Sequence, residues 1–196
     1  MFGVVEFHEM IECIAAALEE RDHYTEGHSL RVSDMVRAIA GKMGFSEDET
    51  RIFHFSAHLH DIGKIGIPDS VLRKPGRLSD EEFEIIKQHP AIGARILRKA
   101  SAFGELAEIV LHHHERFDGL GYPDGISGYS IPIGSRIIAV CDSIDAMMTT
   151  RSYRNAFTES ECLEEIKRCA GTRYDPDIVD VAVKYWDELM EAAQYR

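Results

Sequence analysis

The chain holds ten histidines, all between His8 and His114. Two vicinal pairs stand out. His60-Asp61 sets an imidazole beside a carboxylate, and His113-His114 sets two imidazoles side by side. Neutral imidazole nitrogens and carboxylate oxygens bind iron, manganese and zinc and leave open coordination positions, so the chemistry these residue types support is that of a metal centre. The four cysteines, Cys13, Cys141, Cys162 and Cys169, form no C-x-x-C pair, which disfavours a closed thiolate zinc site. Three of them fall in apparent helices and read as reduced thiols of a cytoplasmic chain rather than a disulfide framework.

Helical periodicity places several of these side chains inward. His28 extends the apolar stripe of Val32, Met35, Val36 and Ile39, and His113 extends that of Leu106, Ile109 and Val110. His60 lies four residues after Ser56, beside the stripe of Ile52, Phe55 and Leu59. Asp142 follows Ile138 by four residues and precedes Asp145 by three. An inward polar group is costly unless it is paired or binds an ion. His28, His60, Asp61, His89, His113, His114 and Asp142 come from separate segments and point to one shared centre. Neighbours on a helix diverge by ~100°, so a vicinal pair straddles a cluster with each member facing a different ion. His8, His23, His54, His58 and His112 read as ordinary hydrogen-bonded histidines. His54 and His58 have the i, i+4 spacing of a metal pair, but no carboxylate partner is evident for them.

The elements that must carry these residues are helices nearly throughout. Ile11, Ile14, Ala15 and Leu18 form one stripe, and Gly41 and Gly44 close the helix after Ile39. Ser46 with Glu49, and Ser79 with Glu82, are capping boxes. Pro90 interrupts a helical pattern that Ile92, Ile96 and Leu97 resume. Residues 134–149 and 159–170 are helical, and Asp175-Pro176 opens the last helix. Residues 62–78 and 117–134 are rich in glycine and proline and read as long functional loops, each following a histidine-rich helix end. No alternating strand pattern is present. The expected fold is all-α, a single-domain bundle of roughly seven to nine helices, with an N-terminal helix at about 6–20, a core at about 22–150 and C-terminal helices at about 158–193.

Composition narrows the function. Of 196 residues, 22 are Lys or Arg and 34 are Asp or Glu, for a formal net charge of −12. That balance disfavours a DNA or RNA polymer and an anionic membrane as partners. No targeting segment is evident, and no apolar run approaches the ~20 residues of a membrane span.

His60-Asp61 with the following Ile-Gly-Lys64 resembles the signature of the HD superfamily of metal-dependent phosphohydrolases. The stretch His113-His114-Glu115-Arg116-Phe117-Asp118-Gly119-Leu120-Gly121-Tyr122-Pro123 resembles the long motif of its HD-GYP subfamily. Further blocks extend the likeness over almost the whole chain: residues 17–32, KQHPAIGA, RIIAVCDSIDAM, residues 150–154 and GTRYDP. The resemblance implies a bacterial phosphodiesterase that opens cyclic di-GMP to linear pGpG, which members of the family often cleave on to GMP. It implies metal ligands His28, His60, Asp61, His89, His113, His114 and Asp142, with Asp61 bridging two ions and Lys64 beside the scissile phosphate. Tyr122, Arg151 and Arg154 would hold the cyclic dinucleotide.

Two positions depart from the family pattern. Members with a third metal carry a carboxylate four residues before the first histidine; here that residue is Tyr24, with Glu26 displaced by two, so a binuclear centre of iron or manganese is expected. The family's Arg-Pro-Tyr-Arg or Arg-Pro-Tyr-Lys block reads Arg151-Ser152-Tyr153-Arg154, which keeps both cations. Two divalent ions ~3.5–4 Å apart make hydroxide available from a bridging water near neutral pH and stabilise charge on the leaving oxygen. Five neutral imidazoles and two carboxylates around two such ions leave about +2, which favours an anionic phosphodiester. The alternatives are an HD phosphohydrolase of another cyclic or linear nucleotide, and a non-catalytic adaptor that uses the GYP surface. A homodimer through the N-terminal helices, and sensor or receiver domains in a longer parent protein, are compatible with the sequence.

Overall fold

A computed structural model describes residues 4–21, 27–150 and 155–195. These fold as α1 (Val4–Glu19), α2 (His28–Met43), α3 (Glu47–Leu59), α4 (Asp69–Leu72), α5 (Asp80–Ile86), α6 (His89–Leu97), α7 (Gly104–His112), α8 (Ile133–Met148), α9 (Glu159–Arg168), α10 (Pro176–Lys184) and α11 (Trp186–Ala192). Three 3₁₀ turns, Ile62–Gly66, Ser101–Phe103 and Gly128–Ser130, complete the described elements. The all-α architecture is the one expected from the sequence. The eleven described α-segments exceed seven to nine for local reasons. Residues 62–78, read as a loop, contain a 3₁₀ turn and the four-residue α4. The last helix breaks at Tyr185, whose φ of −114° and ψ of 28° are not helical, and restarts at Trp186.

Local chemistry sets most boundaries. At both Ser46 and Ser79 the hydroxyl accepts the backbone N–H three residues on, and the glutamate there accepts the serine N–H. Each box satisfies donors the helix cannot, contributing about 1 kcal/mol. Thr158 and Glu161 form a third box. Gly44, at φ 82°, ends α2 in the left-handed conformation glycine adopts without strain; Gly41 lies inside the helix instead of ending it.

Two apolar clusters meet across α3 and α7. The larger joins α2, α3 and α8 to the C-terminal helices through Val36, Ile39, Ile137, Ile144, Ile166 and Leu189. The smaller packs α1, α6 and α7 on the other side of α3 through Ile11, Phe55, Leu59, Ala94 and Val110. No described helix is long and apolar enough to cross a membrane.

Candidate metal centre

Helix ends place the inward histidines. His28 is the first residue of α2, His60 caps the end of α3, His89 opens α6, and His113 caps α7. The last carbonyls of a helix lack intrahelical donors. Three of these histidines use such carbonyls in the same way, each three residues back. His60 Nδ1 donates to Ala57 O at 2.6 Å, His89 Nδ1 to Ile86 O at 2.8 Å and His113 Nδ1 to Val110 O at 2.7 Å. A carbonyl only accepts, so the proton sits on Nδ1 and the Nε2 lone pair is left facing inward. His28 follows the same logic with a carboxylate: its Nδ1 lies 2.7 Å from Asp145 Oδ2.

The inward atoms converge. His28 Nε2 and His60 Nε2 are 3.3 Å apart, and Asp142 Oδ1 is 3.4 Å from His28 Nε2. His89 Nε2 and His113 Nε2 are also 3.3 Å apart. Asp61 stands between these groups: Oδ2 lies 3.4 Å from His60 Nε2, and Oδ1 lies 3.3 Å from His89 Nε2. Ligand atoms on one ion with bonds of ~2.0–2.2 Å lie ~3.0–3.4 Å from one another, so the spacing and the donor types fit metal coordination. Three overlapping groups could each hold an ion: His28, His60 and Asp142; His60, Asp61 and His113; His89, His113 and His114. The structure therefore brings all seven sequence-derived ligand candidates into one site.

Glycine makes the convergence possible. A Cβ on Gly63 would sit 1.8 Å from the His89 carbonyl oxygen, so only glycine lets the 3₁₀ turn after Asp61 lie against the start of α6. A Cβ on Gly121 would sit 2.3 Å from Arg116 N and 2.6 Å from His114 O. That close approach folds the GYP loop back over the histidine pair. Tyr122 then lies with its ring centroid 4.9 Å from that of His114. The buried Glu115 holds the same loop, its Oε1 accepting the N–H groups of Asp124 at 2.7 Å and Gly125 at 3.0 Å.

The electrostatics suit cations. Burial raises the Asp61 carboxyl, but Lys64 at 2.8 Å and then His60, His89 and His28 outweigh it and hold the group well below its usual range. Burial, and then the neighbouring imidazoles, push His113 far down and His114 to about 3, which keeps both rings neutral. Burial, followed by the charges of Asp142 and Asp61, raises the Tyr122 phenol, so that hydroxyl keeps its proton.

Sequence reasoning missed the supports of this site. Asp145, buried, receives His28 and the Arg31 guanidinium, whose Nε lies 2.6 Å from Oδ1, and accepts the Tyr195 hydroxyl. Its spacing from Asp142 was the available signal; its role depended on α2 and on the C-terminal segment arriving beside it. Arg21 donates to the carbonyls of Lys64, Ile65 and Ile67, fixing the 3₁₀ turn, and Glu19 accepts the N–H groups of Gly27 and Ser29 on either side of His28. Arg151, Arg154, Tyr24, Glu26 and His23 lie outside the described residues.

A bundle with an inward-facing, histidine-rich centre at its helix ends defines the class. The chain belongs to the HD domain family, whose model matches residues 12–178. Within it the chain belongs to the HD-GYP branch that its long motif resembles. HD phosphohydrolases are metal-dependent, and the His and Asp groups here could bind metal. A cyclic di-GMP phosphodiesterase of Thermotoga maritima is 46% identical over 185 residues, covering 93% of this chain and 50% of that protein. A 3'3'-cGAMP-specific phosphodiesterase 2 of Vibrio cholerae is 35% identical over 184 residues, covering 93% of this chain and 35% of that one. The chain thus spans half or less of the length of these relatives. Among solved structures, a cyclic GMP-AMP specific phosphodiesterase of V. cholerae superposes with a TM-score of 0.72 at 19% identity, over 95% of this chain and 52% of that one, a likeness of fold.

Proposed function

We propose that this chain is a cytoplasmic phosphodiesterase that opens cyclic di-GMP to linear pGpG. His28, His60, Asp61, His89, His113, His114 and Asp142 would hold two divalent ions, iron or manganese, with Asp61 as the shared ligand. The observation that carries this reading is Asp61 itself: its two oxygens face two different histidine groups at 3.3–3.4 Å. The absence of a carboxylate at Tyr24 favours two ions over three. Bound ions of this kind activate water and neutralise phosphate charge.

The chain's own residues supply the rest. The carbonyl and carboxylate acceptors behind Nδ1 of His28, His60, His89 and His113 fix those imidazole orientations before any ligand arrives, which is what keeps a site precise under load. Lys64, 2.8 Å from Asp61, presents its ammonium beside that carboxylate, where it would meet a phosphate oxygen of the substrate. Tyr122, protonated and lying over His114, can donate a hydrogen bond to the substrate or stack on a guanine. Arg151 and Arg154 have the i, i+3 spacing of a fork for the second phosphate.

A second reading, hydrolysis of 3'3'-cGAMP, is favoured by the name of the 35% identical V. cholerae relative. The deciding experiment is an anaerobic assay of Fe(II)- or Mn(II)-loaded protein with cyclic di-GMP and 3'3'-cGAMP in parallel, with metal quantification and product chromatography. Turnover of cyclic di-GMP to pGpG or GMP at the higher kcat/KM supports the proposal. Preference for 3'3'-cGAMP supports the second reading. No turnover of either by metal-loaded protein refutes both. Arg151→Ala should raise KM about tenfold and leave the metal content alone.

A further inference from the structure

A second set of histidines lies between α1 and α3. His8 of α1 and His54 and His58 of α3 turn their Nε2 atoms toward one point. His8 and His54 are 3.0 Å apart, His54 and His58 3.3 Å, and His8 and His58 3.4 Å. A near-equilateral triangle of that size is one face of a tetrahedron with bonds of ~2.0–2.1 Å, the zinc–imidazole distance. We propose that His8, His54 and His58 form a separate divalent transition-metal site of the zinc class, distinct from the catalytic centre.

The surroundings support it. His54 Nδ1 donates to Ser33 O at 3.0 Å, so the proton is on that side and the Nε2 lone pair faces the other two rings. His58 is only 2% exposed, and its Nδ1 has no partner. Hydrogen bonding at Nδ1 therefore does not offset the burial of that ring, whereas a coordination bond at Nε2 would help to. Ser33 Oγ, 3.0 Å from His58 Nε2, gives its one proton to Leu30 O and so leaves the Nε2 lone pair for an ion. Glu12, one turn beyond His8 on α1, places Oε1 3.5 Å from His8 Nε2 on the half-exposed side, where a carboxylate or water could complete four-coordination.

The position gives the site a task. His58 and His60 are separated by ~200° around α3 and so leave it in different directions, while His58 also borders the cavity lined by His28, Asp61 and Lys64. An ion shared by α1 and α3 would lock α1 onto the helix that delivers His60. The far end of α1 holds the entrance of α2 through Glu19, and Arg21 just beyond it holds the 3₁₀ turn after Asp61.

The test uses the full chain, stripped with chelator and titrated with Zn(II) in the absence of substrate, with zinc content measured after desalting. His8 is one-third exposed on an outer helix, so the His8→Gln protein should fold normally by circular dichroism. The wild type should retain one zinc per chain more than His8→Gln. Equal zinc in the two overturns the proposal. In parallel, ¹⁵N spectra of the histidine rings in wild-type protein should show zinc-induced shifts at Nε2 of His8, His54 and His58. This readout stands even if His8→Gln misfolds. Shifts confined to His28, His60, His89, His113 and His114 overturn the proposal. Neither outcome depends on nucleotide hydrolysis, so failure here leaves the phosphodiesterase reading intact.

Discussion

The two histidine clusters, the Asp61 centre and the His8 triad, have similar nitrogen spacings but different supports. Around Asp61, the four rings of His28, His60, His89 and His113 each have Nδ1 bound by an acceptor behind it, and carboxylates stand among the inward nitrogens. Around His8, only the His54 Nδ1 has such an acceptor in the core, and Glu12 stands at the rim. Ligands oriented in advance, with charge among them, suit a centre that must keep its geometry through turnover. Three neutral imidazoles with one held in place suit an ion that joins two helices.

The largest effect should come from Asp61→Ala. Losing the one carboxylate that faces both histidine groups should reduce turnover at least about a thousandfold and remove most catalytic metal, while zinc at His8 stays. Parallel assay and metal analysis would check both halves; full turnover in this variant breaks the contrast between the clusters.

Asp145→Asn should cost about 10- to 100-fold in metal affinity or kcat, because it weakens the acceptor that orients His28 without touching the inward face. A fall in kcat at constant KM, partly rescued by Asp145→Glu, distinguishes positioning from substrate binding. Gly121→Ala should raise KM by on the order of tenfold, since the added Cβ forces the GYP loop off the His114 carbonyl, and should leave the metal content unchanged.

Stability of the ion-free protein should fall on acidification. His54, His58, His89, His113 and His114 are all lowered, chiefly by burial, with His58 and His114 brought to about 3 from 6.5. Below 6.5 the unfolded chain takes up protons that the folded chain excludes, so stability rises with pH across that window. His28 opposes this: burial lowers it, but Asp145, Asp142 and Asp61 outweigh burial, so its contribution is full below 6.5 and lost as pH rises through its raised value. With five groups against one, calorimetry of chelated protein should show a melting temperature several degrees lower at pH ~5 than at pH ~7. Saturating metal should shrink that difference. The smallest effect on turnover should be that of His8→Gln, a few-fold at most, because it acts only through the seating of α1; its mark is the lost zinc.

Much of this was legible in the chain. Amphipathic periodicity identified the helices, the serine–glutamate pairs marked two starts, and the inward register of His28, His60, His113 and Asp142 indicated a shared centre. The break at Tyr185 and the short helix at Asp69–Leu72 were not, since tertiary packing decides such short turns. His54 and His58 showed their spacing, but their third partner lies 46 residues from His54, on α1. Asp145 looked like one more polar residue on α8 until Tyr195 and Arg31 were beside it.

The sequence by itself determined the donor types, their helical faces and the long motif that assigns the family. The tertiary structure decided which donors meet: Asp61 between two histidine groups, Asp145 behind His28, and His8 over His54 and His58. Periodicity is a property of neighbours along the chain and fixes which way a side chain turns. Coordination depends on distances between helices, and those are set by glycines and apolar side chains packing between segments remote from one another in sequence.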